Sequence, residues 1–266
     1  MFSWTLFKTT SRKNVSLFII FLSVHALYII TLLFMFNPED MEAISSMLDL
    51  FPPDLMAAMG FSSLISDLTS YLASWLYGLL MTSLPMVYSI ILSHRLVAKM
   101  VDNSSFACLL STPNRRTKII FTQGVFAISS LTVLFAVSCA LGILASSALF
   151  PRTLDNAAFI ELNVTTLLVS LTVLMISYFC SCLFNESGKA LGFGAGIPIT
   201  LLLMNMLGNV SEQLPLLKKL SVFGWYDPVD LVRNGSGVWV NLLYLAFILI
   251  MFAASLVVFK HKQLPL

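Results

Sequence analysis

Apolar residues in this chain come in long runs, with the polar residues gathered between them. Six runs, at 15–36, 71–92, 119–150, 161–184, 191–210 and 238–259, are each apolar enough to cross a membrane. A hydrocarbon core about 30 Å thick needs roughly 20 helical residues, and all six runs meet that length. The pattern predicts an all-α, polytopic membrane protein with six transmembrane helices in a single domain over 1–266. The third run is the longest. As a helix it would reach about 48 Å at 1.5 Å per residue, so it must tilt, kink or extend beyond the bilayer.

The segments between the runs have characters of their own. In residues 2–14, Phe2, Trp4, Leu6 and Phe7 mix with Lys8, Arg12 and Lys13, which fits an interfacial helix or a basic flank of the first span. The loop 37–70 begins at Asn37-Pro38, and its apolar residues recur at near-helical spacing on either side of Pro52-Pro53. Two short surface helices are expected, since so short a loop cannot bury a core alone. Pro85 lies inside the second run. Gly192, Gly194, Gly196 and Pro198 open the fifth, where small residues permit close helix approach. The segment 211–237 is only partly polar and could dip back toward the membrane as a short re-entrant element.

Composition sharpens this picture. Hydrophobic residues make up 58% of the 266 and charged residues 11%, against roughly 25% charged in soluble domains. With the N-terminus in the cytoplasm, eleven of the fifteen Lys and Arg fall inside, and only Arg152, Lys218, Lys219 and Arg233 fall outside. By the positive-inside rule both termini are cytoplasmic. The first run is followed by no small-residue cleavage site and reads as a retained anchor. Cys108, Cys139, Cys180 and Cys182 lie in apolar surroundings without a CxxC spacing and read as packing residues.

The sequence holds little chemistry of its own. Ser187-Gly188-Lys189-Ala190 lacks the upstream Gly and the following Ser or Thr of a phosphate-cradling loop. His25, His94 and His261 are scattered and predict no metal site. No catalytic residue, directly bound cofactor or nucleic-acid partner is expected, and the chain reads as a non-enzyme. His25, in the middle of the first span, is the clearest ionisable group at membrane depth. It is either a point on a substrate path or a histidine hydrogen-bonded to a neighbouring helix. Asn-x-Ser/Thr patterns occur at Asn14, Asn103, Asn163, Asn209 and Asn234, and only Asn234 is placed to accept a glycan, in a eukaryotic secretory setting.

The segment 102–118 is the most informative. The second span is expected to continue as helix through Met100, with Asp102, Asn103 and Ser104 of helix-capping type. Phe106, Ala107, Cys108, Leu109 and Leu110 then suit a short transverse helix, too short to cross anything. Thr112 caps the next helix and Pro113 takes its first position. A short apolar helix on the cytoplasmic side needs lipid or a groove on another protein to cover it.

The stretch Leu109-Leu110-Ser111-Thr112-Pro113-Asn114-Arg115-Arg116-Thr117-Lys118-Ile119 resembles the LLSTP-x-R/S-R-x-K-I signature of type-2 ABC transporter permeases. So do the six spans, the cytoplasmic termini, Tyr226-Asp227-Pro228 before the last span, and the basic tail from Phe259. The resemblance implies a multi-pass subunit of a bacterial plasma membrane that borrows a separate ATP-binding subunit, ATP being used by that partner. A second permease chain, identical or related, would complete the complex. It also implies that 102–118 is the coupling helix. Phe106, Leu109, Leu110, Ser111, Thr112 and Pro113 would dock on the ATPase, and Arg115 and Arg116 would hold lipid phosphates or ATPase carboxylates. Spans with almost no fixed charge suit export of a hydrophobic or amphipathic peptide, antimicrobial or drug. The alternatives are a non-transporting scaffold or sensor subunit bound to an ATPase, and a stand-alone secondary transporter.

Overall fold

The computed structural model describes residues 2–37, 50–59, 67–103, 106, 115–210, 215–235 and 237–263. Among these residues every regular element is helical. Six helices are long and apolar enough to cross a membrane: α1 (Trp4–Met35), α3 (Leu68–Asp102), α4 (Arg116–Leu149), α5 (Asn156–Leu183), α6 (Ser187–Val210) and α9 (Val238–His261). They match the six predicted runs and make the chain an all-α, multi-pass membrane protein. Short helices α2 (Pro53–Met59), α7 (Pro215–Leu220) and α8 (Pro228–Asn234) lie between them. The first expected helix of the loop 37–70 lies largely outside the described residues, and the second is α2.

Residues 4–14 form neither a separate interfacial helix nor a frayed flank. They are the first turns of α1, which runs unbroken for 32 residues. Lys, Arg and Thr are compatible with helix, so polarity alone does not end it. Thr10, Asn14 and Leu17, and then His25, Ile29 and Leu32, are buried at steps of three or four residues and form its inward stripe. The basic end of α1 is pinned to α4. The Ser3 amide donates to the Thr122 hydroxyl at 3.1 Å, and Phe7 meets Phe126 edge-on at 5.6 Å.

Helix α3 extends past the second run, as expected, and ends at Asp102. Two wide π turns interrupt it, at Leu76–Leu80 and His94–Ala98. The first ends immediately before Met81. Pro85, four residues on, has no N–H and would crowd the Met81 carbonyl in a regular helix, so the widened turn sits where the relief is needed.

Helix α5 is the axis of the bundle. Its apolar window is 78% buried, against 17% for α6. Thr166, Ser170, Thr172, Ser177 and Ser181 are among its buried residues. Small side chains let neighbouring helices approach closely, and their hydroxyls bond backbone carbonyls where water is absent. The Ser177 hydroxyl donates to the Gly194 carbonyl of α6 at 2.7 Å, and Tyr178 donates to the Ile120 carbonyl of α4 at 2.7 Å. The segment before α9 folds back on the bundle. Val222, Phe223 and Tyr226 are buried in it, and Ser221 donates to the Leu201 carbonyl at 2.7 Å.

Candidate functional site

At the basic end, α3 finishes beside α6, with His94 Nε2 2.6 Å from the Ser187 hydroxyl. Of the expected docking segment, Phe106, Arg115 and Arg116 fall among the described residues. Leu109, Leu110, Ser111, Thr112 and Pro113 lie outside them. Phe106 is 2% exposed, and its ring centroid is 5.1 Å from that of Phe259 in the last turn of α9. Phe106, expected among the docking residues, is packed against the chain itself. Its ring is covered because α9 ends in an aromatic residue at the same level.

Arg115 precedes α4 in extended conformation and leads the chain into it. Arg116 turns to the C-terminal tail, donating from Nη1 to the Lys262 carbonyl at 3.2 Å. Lys262 in turn reaches the end of α5. Its ammonium donates to the carbonyls of Cys182 at 3.0 Å and Phe184 at 2.6 Å, and lies 5.4 Å from the Phe259 ring centroid. The last carbonyls of a helix lack intrahelical partners and carry the negative end of its dipole, so an ammonium suits them on both counts. Burial pushes the Lys262 ammonium down to about 8, an effect that the neighbouring Cys182 partly offsets. Asn185 donates to the Gln263 carbonyl at 3.1 Å. The start of α4, the end of α5 and the tail after α9 are thus tied together, with Phe106 packed into the same junction.

His25 is fully buried. Its Nδ1–H donates to the Phe21 carbonyl at 2.7 Å, one turn back on α1, and not to a neighbouring helix. That leaves Nε2 buried without a hydrogen-bond partner among the described residues. His25 lines none of the cavities described below.

Sequence reasoning missed a polar cluster at the other end of the bundle. The Leu76–Leu80 π turn places Tyr77, fully buried, beside Asn163 of α5. Tyr226 and Thr166 are hydroxyl to hydroxyl at 2.7 Å. A small cleft of about 60 Å³ adjoins them, with Gly78, Thr82, Asn205, Lys218 and Asp227 in its wall. The signal was present in Tyr77-Gly78 and in Asn163 with Thr165 and Thr166, polar residues inside otherwise apolar spans. The Tyr226-Asp227-Pro228 triplet has a plain structural role here. Tyr226 is buried, Asp227 Oδ1 accepts from the Val229 and Asp230 amides at 3.1 Å each, and Pro228 opens α8.

A larger, apolar cleft of about 430 Å³ opens between α5, α6 and α9, with Phe179, Phe193, Ile197, Trp225 and Phe247 among its walls. Among the described residues, no three His, Cys, Asp or Glu side chains converge as metal ligands would. Compared with models of known protein families and with curated proteins, the chain matches none.

Proposed function

We propose that this chain is the membrane-spanning permease subunit of an ATP-driven ABC transporter. In this reading it exports a hydrophobic or amphipathic substrate, such as a peptide, antimicrobial or drug. The observation that carries the reading is the segment 102–118. It bears the LLSTP-type stretch at the basic end of a six-helix bundle, and it is flanked by α3 and by α4, whose Arg116 joins the tail and the end of α5. A push on this segment would therefore reach α4, α5 and α9 together, as gating driven by an ATPase requires.

The ATP-binding subunit is a separate protein that docks at Leu109, Leu110, Ser111, Thr112 and Pro113. Phe106 anchors the segment from within, and Arg115 remains for lipid phosphates or ATPase carboxylates. A second permease chain completes the complex. Helix α6 supports that part of the reading, because Gly188, Gly192 and Gly196 recur one turn apart with open space where a Cβ would stand. The apolar cleft between α5, α6 and α9 suits an apolar substrate.

The test is co-purification with an ATP-binding subunit, sought first among the genes next to this one, followed by Leu109→Asp and Leu110→Asp. Each variant is expected to lose ATPase association by at least about tenfold, since a desolvated carboxylate at an interface costs several kcal/mol. Full association and full transport in both variants would remove the docking reading. In reconstituted vesicles, ATP hydrolysis that no candidate substrate stimulates would favour the scaffold.

A further inference from the structure

Between α1 and the basic end of α3 lies a cleft of about 500 Å³, within the range of roughly 300–1,000 Å³ typical of small-ligand pockets. Helix α1 contributes Leu6, Lys13 and Asn14 to its wall, α3 contributes Arg95 and Lys99, and α4 contributes Gln123. The spacing on each helix explains the convergence. Lys13 and Asn14 stand seven and eight residues after Leu6, which puts all three on one face of α1. Arg95 and Lys99 stand four apart across the His94–Ala98 π turn.

Two independent observations mark this cleft as a site. The first is charge. Among the described residues, Lys13, Arg95 and Lys99 line it and no carboxylate does. None of the three is in an ion pair among the described residues. The second is Gln123. It is 2% exposed, and among the described residues its Oε1 has no hydrogen-bond partner and its Nε2 reaches only the Met100 thioether at 4.0 Å. The Gln123 Oε1 can only accept and gains nothing from an anion, but the Nε2 donors, which otherwise meet only a sulfur, are left for an acceptor in the cleft. Its two N–H donors and the three cations are the groups that a phosphate oxygen accepts from.

We infer that this cleft binds a phosphate-bearing anion, with Lys13, Arg95 and Lys99 neutralising the charge and Gln123 donating from the wall. Leu6 and Leu96 beside the cations favour the headgroup of an anionic phospholipid, whose glycerol and first methylenes would need an apolar wall. The bound group would join α1 to α3 a few residues ahead of the segment 102–118. The site rests on these side chains alone and stands whether or not the chain serves an ATPase.

The test uses the full chain, purified in detergent and titrated separately with phosphatidylglycerol, phosphatidylcholine and inorganic phosphate, with bound ligand counted by native mass spectrometry. One phosphatidylglycerol per chain is expected, in preference to phosphatidylcholine. Lys13→Gln, Arg95→Gln and Lys99→Gln together should weaken it on the order of 100-fold. Gln123→Leu, which keeps the bulk and removes the donors, should weaken it about fivefold or more. A control with the same charge change elsewhere at the basic end, Lys8→Gln with Arg12→Gln and Lys260→Gln, should stay within about threefold. Inorganic phosphate bound with the same residue dependence, and no phosphatidylglycerol, would identify a free phosphate as the occupant and keep the site. Equal losses in both triple variants would reduce the effect to surface charge and overturn the proposal. So would unchanged phosphatidylglycerol binding in the Lys13, Arg95 and Lys99 variant, or failure of the wild type to hold either phosphatidylglycerol or phosphate.

Discussion

Lys262 stands one residue past α9 and serves a helix that ended nearly eighty residues earlier. Its ammonium satisfies the carbonyls of Cys182 and Phe184, which the end of α5 leaves without intrahelical donors. Lys262→Met keeps the length and apolar stem but removes both hydrogen bonds. The expected loss is about 1–2 kcal/mol, read as a lower melting temperature in detergent. The pH dependence has a definite sign. Burial lowers Lys262 to about 8 in the folded chain, from an ordinary value of 10.5. Between those values the unfolded chain binds the proton and the folded chain does not, so wild-type stability gains as pH rises through that window. The neutral amine still has two N–H groups for the two carbonyls, so the cap survives deprotonation. The deficit of Lys262→Met should therefore widen between pH 8 and pH 10. A deficit that shrinks over that range would mean that the charge, and not the hydrogen bonds, is what stabilises the junction.

Gly124 fixes how closely α4 and α9 approach, because a Cβ built there would overlap the Phe252 ring. Gly124→Ala should cost about 1–3 kcal/mol, as overpacking does. Adding Phe252→Ala should recover part of that loss, a coupling that a double-mutant cycle of melting temperatures would detect. Additive losses would show that the ring yields freely. The elements themselves were largely legible beforehand, since a run of twenty apolar residues has few fates besides a membrane helix. Their ends were less so. Lys8, Arg12 and Lys13 lower hydropathy without opposing helix, so α1 begins at Trp4 and not near residue 15. The π turns of α3 left no mark in the apolar pattern, although Pro85 pointed to a disturbance nearby. Phe106 shows a further limit. Periodicity identified an apolar residue that needed cover, but only the fold shows that Phe259 provides it. The basic cleft was illegible for the same reason, since Lys13, Arg95 and Gln123 lie on three helices and meet only in the folded bundle.

On the scale of the whole molecule, the functional reading depends on which end faces ATP. The asymmetry is strong. Segment 102–118, the 185–189 turn and the tail from Lys260 share one end with most of the Lys and Arg, while the turn after α4 and the α7–α8 segment share the other. Basic loops resist translocation, so the first end is expected in the cytoplasm. Single cysteines test this directly in a chain whose Cys108, Cys139, Cys180 and Cys182 are replaced. Thr153 and Glu186 are both exposed and lie in turns at opposite ends of α5. A membrane-impermeant maleimide should label Thr153→Cys in intact cells and Glu186→Cys only after the cells are opened. The reverse pattern would set segment 102–118, with Leu109 and Leu110, on the side that holds no ATP. No ATP-binding subunit could then dock there, and a secondary transporter would become the better account of the same six helices.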